Sequence, residues 1–419
     1  MASGAAEPYG REGLPLDQAR CRVLESIKTR RAAAAETRPL RSCLDRVCAV
    51  DVMAPCDVPG FRASIMDGYA LAQDHQPEPG SSWTLRGRSA PGAPFAAALV
   101  PGEAIRILTG APVPDGSNWV LPQELVDANE KRLQLRGDPS DQRWIRAADE
   151  ECHAGQLLLA RGQRLTTADL GRLASCGIHQ LQVYRKPQIG LLISGDELVP
   201  AGSERPAGAI WESNGSLLEA LLSKLNQSIV DQQVVADQPA LLNKALLEMA
   251  ERCDVVVSTG GVSAGDSDWI RTLVDDIGEI SFWKLFLKPG RPFAFGTLQG
   301  NVPFFGLPGN PVAAAVTALQ LLWPALQLLE GQMEPEQFPR LRVRLATPLK
   351  RRPGRPELAR ARLRCNANGE LLAEIGGSQA SSRIGSLQNA DLLLEIPAEA
   401  GSLAQGSELW AQLIRRPVF

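Results

Sequence analysis

Behind the apolar run Val255-Val256-Val257 the chain turns to Ser258-Thr259-Gly260-Gly261-Val262-Ser263-Ala264-Gly265-Asp266-Ser267-Asp268, a composition suited to holding an anion. Glycines let backbone N–H groups approach an oxyanion closely, and the helical pattern starting at Trp269 adds the positive end of a helix dipole. A strand-to-helix turn without a ligand has the same composition, and the spacing is that of neither a dinucleotide fingerprint nor a P-loop. Two lysines, Lys284 and Lys288, follow in what reads as a strand. Four residues apart, they share one face and can both address anionic oxygens. Their neighbours Trp283, Phe286 and Leu287 argue for a strand embedded in structure, where a charged amine needs a partner. Carboxylates at Asp67, Glu197, Asp237 and Asp268 come from separate loops. Because they repel an anion directly, they suit a hard cation, ligand N–H donors, or proton transfer.

The elements that would position these groups follow from periodicity. Residues 188–193, 228–235 and 254–257 read as strands, and 213–225 and 239–252 as helices. That alternation predicts a doubly wound, mostly parallel sheet over 187–332. In such sheets ligands sit beyond the carboxyl ends of strands, where Ser194-Gly195-Asp196-Glu197, Asp237 and the Gly260 loop all fall. Asn310 and Pro311, after Pro308, suit the N-cap and first position of the last helix, a second N-terminus open to an anion. Leu16, Ala19, Val23, Leu24 and Ile27 make an apolar stripe on a leading helix. The Pro- and Gly-rich stretch 51–144 reads as a β-rich domain inserted into an α/β linker domain formed by 1–50 and 145–186. A helix over 166–176 with a Gly177 C-cap belongs to the latter. Alternation in Arg340-Leu341-Arg342-Val343-Arg344-Leu345 and Leu392 to Ile396 predicts a C-terminal β domain over 333–419.

Length and composition narrow the class. At 419 residues the chain requires several cores. No uninterrupted apolar run reaches bilayer-spanning length, and the N-terminus lacks a basic segment followed by an apolar one, so a cytoplasmic protein away from membranes is expected. Eight cysteines without a C-x-x-C pair point to reduced, mostly buried thiols, and three histidines without metal spacing leave carboxylates as the metal ligands. A net charge of −3 and few aromatics among the arginines of 340–364 argue against nucleic acid and for solvated or intramolecular roles.

Six segments, in order, resemble the molybdopterin molybdenumtransferase family, the MoeA type that includes the E domain of gephyrin. They are Ser64-Ile65-Met66-Asp67-Gly68-Tyr69-Ala70, Thr109-Gly110-Ala111-Pro112, Ser194 to Leu198, the Gly260 loop, Phe282-Trp283-Lys284 through Lys288-Pro289-Gly290, and Gly306-Leu307-Pro308-Gly309-Asn310-Pro311. The resemblance implies an enzyme that inserts molybdenum from molybdate into adenylylated molybdopterin, with Mg²⁺ and release of AMP. It implies a homodimer in which Asp67 and Thr109 of one subunit face the α/β crevice of the other. Asp67, Thr109, Glu197, Lys284 and Lys288 would then be catalytic. Ser194, Gly195, Asp196, Asp237, Gly260, Gly261, Ser263, Gly265, Asp268, Pro308, Pro311, Arg360 and Ser381 would bind the substrate. Asp67, Glu197, Asp237, Asp268 and Glu151 would be candidates for Mg²⁺. Where the family commonly has Gly-Glu-Asp after an arginine, this chain has Asp149-Glu150-Glu151 after Arg146, so Glu151 keeps the carboxylate with one more methylene. Partners would include a molybdopterin adenylyltransferase and apo-molybdoenzymes. The α/β domain also resembles that adenylyltransferase, and a molybdopterin carrier or scaffold is the non-catalytic alternative.

Overall fold

The computed structural model describes residues 13–30, 34–261 and 269–415. A six-stranded sheet carries the molecule, in the order Ile229–Val235, Ile189–Ser194, Val255–Thr259, Val302–Leu307, Ala294–Leu298, Gly278–Trp283. The first four strands are parallel and the last two antiparallel. Ile189–Ser194 and Val255–Thr259 are buried along their whole length, as strands covered on both faces must be, whereas the edge strand Ile229–Val235 is not. Helices Asn214–Lys224 and Pro239–Arg252 bury Leu218 and Leu222, and Leu242, Leu246 and Met249, against the sheet.

The remaining layers flank this sheet. Strands Ala35–Pro39 and Gln180–Tyr184 pair antiparallel, as do Val52–Met53 and Leu157–Leu159, around one core with Cys152, Cys176 and Leu173. Between these segments a second six-stranded sheet runs Trp119–Pro122, Gly68–Leu71, Glu103–Ile107, Ser82–Ser89, Arg132–Leu135, Val126–Ala128. The C-terminal strands close into a barrel in the order Arg340–Leu345, Leu371–Glu374, Glu357–Cys365, Leu392–Ile396, Glu408–Leu413. On its outside Arg340 pairs with Glu395, Arg342 and Arg344 with Glu408, and Arg364 with Glu374. The charge alternation of these strands is therefore neutralised within the barrel.

The leading helix Leu16–Lys28 buries Ala19, Val23 and Ile27 in the core of the α/β sheet. Its Arg20 reaches the helical run Pro311–Leu329, which passes through a wide turn at Ala318–Leu322. Pro324 has no N–H to give the Gln320 carbonyl, and Arg20 Nε takes that carbonyl at 3.3 Å while Nη2 takes the Gln320 Oε1 at 2.7 Å. The run is long and apolar enough to cross a membrane by length and composition, but 94% of its window is buried inside the protein, as befits a core helix. None of the eight cysteines is in a disulfide, and Cys43, Cys48, Cys152, Cys176 and Cys253 are buried. Burial pushes the Cys253 thiol up to about 11.

One expectation fails. The strand Gly278–Trp283 ends before Lys284, so Lys284 and Lys288 do not share a strand face. Lys284 takes a left-handed backbone (φ 68°) because its N–H donates to the Phe293 carbonyl and its own carbonyl accepts from Leu14 N–H. The next residues then run toward the barrel instead of along the sheet: Lys288 N–H donates to the Pro356 carbonyl and its carbonyl accepts from Leu358 N–H.

Candidate functional site

A cleft of about 910 Å³ opens at the carboxyl ends of the parallel strands, between the α/β sheet and the barrel. Its floor is made of loops that touch one another. Gly260 has φ 92°, and a Cβ there would lie 2.2 Å from the Ser194 carbonyl oxygen. Gly261, at φ 61°, brings its backbone beside the Ser194 hydroxyl. Thr259 Oγ1 donates to the Pro308 carbonyl at 3.1 Å and accepts from Asn214 Nδ2 at 2.8 Å, and Asn214 Nδ2 also reaches the Gly309 carbonyl at 2.8 Å. Asn214 thus ties the Pro308 turn to the glycine loop. Gly260→Ala should lose roughly 1–3 kcal/mol from the left-handed backbone alone, with more from the clash. A thermal unfolding midpoint equal to that of the parent would show that the two loops do not close as described.

The carboxylates come from neighbouring strand ends. Asp196 Oδ1 accepts the Asp237 N–H at 2.9 Å, strapping the loop after Ile189–Ser194 to the loop after Ile229–Val235. Burial raises the Asp237 carboxyl above its ordinary range, and the charges of Asp196 and Glu197 add to this. The nearby Ser194 hydroxyl opposes the shift in part, yet neither Ser194 Oγ nor Asp237 Oδ1 has a partner in hydrogen-bond geometry. A buried carboxylate oxygen without a partner is costly unless something else satisfies it.

Cations approach from the barrel side. Lys288, Arg291 and Arg355 line the cleft. Lys288 Nζ lies 3.1 Å from the buried Glu357 and remains half exposed. Arg355 is held by the Leu287 carbonyl at 2.9 Å, and burial lowers its proton affinity. Ser381 lines the cleft, and its carbonyl takes the N–H of Val312, so the last helix offers one free amide fewer than the sequence suggests.

Other sequence candidates sit elsewhere. Lys284 does not line the cleft; its Nζ lies 5.5 Å from the Trp283 ring, which also carries Arg271. Arg360 is 1% exposed and acts behind the wall, with its N–H on Gln379 Oε1, Nε on Ser386 Oγ and Nη2 on the Ala380 carbonyl. Asp67 and Thr109 are exposed on the inserted β-rich sheet, where Thr109 donates both its N–H and its hydroxyl to Asp67 Oδ1 at 2.8 Å. Those two bonds, the backbone one first, hold the Asp67 carboxyl below its ordinary range. Glu151 pairs with Arg172 at 3.3 Å, away from the cleft. Ser263, Gly265 and Asp268 lie outside the described residues. Among the described residues no three His, Cys, Asp or Glu side chains gather as a metal site. The cleft residues Asn214, Trp211, Arg291, Arg355 and Gln379 escaped sequence reasoning; only Asn214, next to the predicted helix start, carried a local signal.

Residues 14–177 match the MoeA N-terminal region (domain I and II), 190–328 a probable molybdopterin binding domain, and 342–414 the MoeA C-terminal region (domain IV). The chain is 34% identical over 394 residues to the molybdopterin molybdenumtransferase of Haemophilus influenzae, covering 94% of this chain and 96% of that one. It is 31% identical over 392 residues to molybdopterin molybdenumtransferase 2 of Mycobacterium tuberculosis, covering 90% and 95%. A molybdopterin biosynthesis MoeA protein from Pyrococcus horikoshii superposes with a TM-score of 0.76 at 25% identity, over 96% of this chain and 99% of that one.

Proposed function

The chain belongs to the MoeA family, and we infer from this that it is a molybdopterin molybdenumtransferase of molybdenum cofactor biosynthesis. We further propose adenylylated molybdopterin as the substrate, molybdate as the source of metal and AMP as a product. The observation that carries the reading is a buried carboxylate oxygen, Asp237 Oδ1, with only the Ser194 hydroxyl near it, in one cleft with Lys288, Arg291 and Arg355. Such a cleft suits a ligand that is both polyanionic and accompanied by a cation.

The chain's own groups divide the work. Lys288, Arg291 and Arg355 offset the charge of molybdate and of the phosphates, which would otherwise repel each other and the nearby carboxylates. The backbone at Gly260 and Gly261 packs against Ser194 and leaves no side chain in the way. Asp237 and Glu197 fit Mg²⁺, an ion commonly bound by one or two carboxylates together with substrate phosphates, and it would help neutralise the phosphoanhydride as AMP leaves. We assign Arg360 to positioning Gln379 and Ala380 of the cleft wall.

Asp67 and Thr109 do not line the cleft of their own chain. We assign them to the cleft of a second copy in a homodimer, an arrangement supported by the resemblance of the Asp67 and Thr109 segments to the family pattern. The pair of bonds from Thr109 keeps Asp67 ionised and fixed, ready to accept a hydrogen bond from the substrate.

The test is AMP release from adenylylated molybdopterin by the purified protein with Mg²⁺, with and without molybdate. Molybdate-dependent release yielding a cofactor that activates an apo-molybdoenzyme is the expected result. Pyrophosphate release from Mg·ATP with molybdopterin would make the protein an adenylyltransferase instead, and binding without AMP release would make it a carrier.

A further inference from the structure

Trp211 is 48% exposed, yet it is not a loose surface side chain. It ends the short strand Ile210–Trp211, paired with Leu198–Val199 just after Glu197, and it lines the cleft. Its indole Nε1 donates to the Ser203 carbonyl at 3.0 Å, which fixes the ring plane. The Arg205 guanidinium lies 4.8 Å from the ring centroid. A ring held by its edge, bearing a cation on its face and still half open at the mouth of a polyanion-binding cleft costs exposed apolar area unless a ligand uses it.

We propose that Trp211 is a stacking platform for a planar nitrogen heterocycle of the substrate, with Arg205 holding the ring in place. The inference rests on the cleft binding adenylylated molybdopterin, a molecule that contains two such rings, adenine and pterin. An aromatic ring recognises either through its π face without reading its edge, and an indole pinned through Nε1 pays little ordering entropy to do so. Trp211 is thus a binding residue beside the reacting groups, and its role differs from that of the cations, which act on the phosphates.

Binding of AMP, neopterin and inorganic pyrophosphate to the full-length parent, Trp211→Ala and Trp211→Phe, measured by calorimetry with Mg²⁺ present, tests this. Trp211→Ala should weaken AMP or neopterin about tenfold or more, Trp211→Phe should stay within about twofold of the parent, and pyrophosphate, which has no ring, should bind alike to all three. Loss confined to AMP identifies adenine as the stacked ring, and loss confined to neopterin identifies the pterin. Equal weakening of pyrophosphate would show a merely structural side chain and overturn the proposal, as would a Trp211→Ala protein that binds both ring compounds normally. A parent that binds pyrophosphate but neither ring compound would overturn the substrate reading itself, and the stacking with it.

Discussion

Asp237→Asn should lower turnover by about 10²-fold or more while leaving the unfolding midpoint unchanged or raised if Asp237 holds Mg²⁺ as proposed, since charge stabilisation by such an ion would be worth several kcal/mol. The two halves of this expectation come from one feature. Burial, with Asp196 and Glu197 adding, raises the proton affinity of the Asp237 carboxyl, so the folded protein disfavours its ionised form. An acid whose folded value is raised holds more protons folded than unfolded between the two values, so its contribution to stability falls as pH rises through that window. Asparagine carries no charge to desolvate and keeps the backbone N–H that bonds Asp196 Oδ1. A variant that loses activity only by unfolding, or one that turns over normally, removes Asp237 from the chemistry.

The same variant separates one-chain sites from shared ones. If Asp67 serves the cleft of a second copy, Asp67→Asn and Asp237→Asn proteins are each inactive alone, yet a mixed dimer has one intact site and one carrying both changes. Equal mixing with random subunit exchange should then restore about a quarter of the parent turnover. No recovery despite demonstrated exchange would place Asp67 outside the shared site.

Glu330→Ala is expected to cost about 1–3 kcal/mol of stability, the largest effect away from the cleft. Glu330 is fully buried at the C-cap of the helix Trp323–Leu329, where a negative charge opposes the helix dipole. It is retained because Arg164 Nη2 meets its Oε2 at 3.0 Å and Gln227 Nε2 meets the same oxygen at 2.9 Å, with Arg46 Nε 3.9 Å from Oε1. Arg46 and Arg164 belong to the N-terminal strands and loops, so this carboxylate clamps that layer to the α/β sheet. Removing it leaves Arg46 to Glu36 at 2.6 Å and Arg164 to Glu336 at 3.2 Å, and deprives Gln227 Nε2 and Arg164 Nη2 of a buried acceptor. Urea unfolding followed by tryptophan fluorescence reads the loss, and a shift under about 1 kcal/mol would mean that solvent reaches the cluster and the clamp is not buried as described.

Much of the α/β domain was legible because its signals are local. The run at Val255, the helix with Pro239 at its first turn, and the alternation at Arg340 each follow from a few adjacent residues, and the observed helix Pro239–Arg252 and strand Arg340–Leu345 have the expected limits. The convergence of Glu197, Asp237 and Gly260 was legible as well, since parallel strands joined by crossover helices must present their carboxyl ends together. Lys284 was misread for the opposite reason. Its left-handed backbone is imposed by hydrogen bonds from Leu14 and to Phe293, and no pattern in the Lys284 segment encodes a partner some 270 residues away. Likewise Arg360 looks like a surface arginine in an alternating strand but is buried beneath the loop it supports.

By itself, then, the amino-acid order determined a doubly wound sheet, a β-rich insertion, a C-terminal β domain and the set of loops at the sheet's carboxyl edge, because periodicity and glycine placement act over a few residues. Tertiary structure alone decided which cations join the carboxylates of those loops in the cleft. Lys288 and Arg355 arrive there because the barrel strand Glu357–Cys365 and its approach bond the 287–288 backbone, and Asp237 is held at the cleft because its N–H is strapped to Asp196 on the neighbouring strand end. Those outcomes depend on contacts between segments far apart in the chain, whose pairing is set by the packing of whole layers rather than by any local preference.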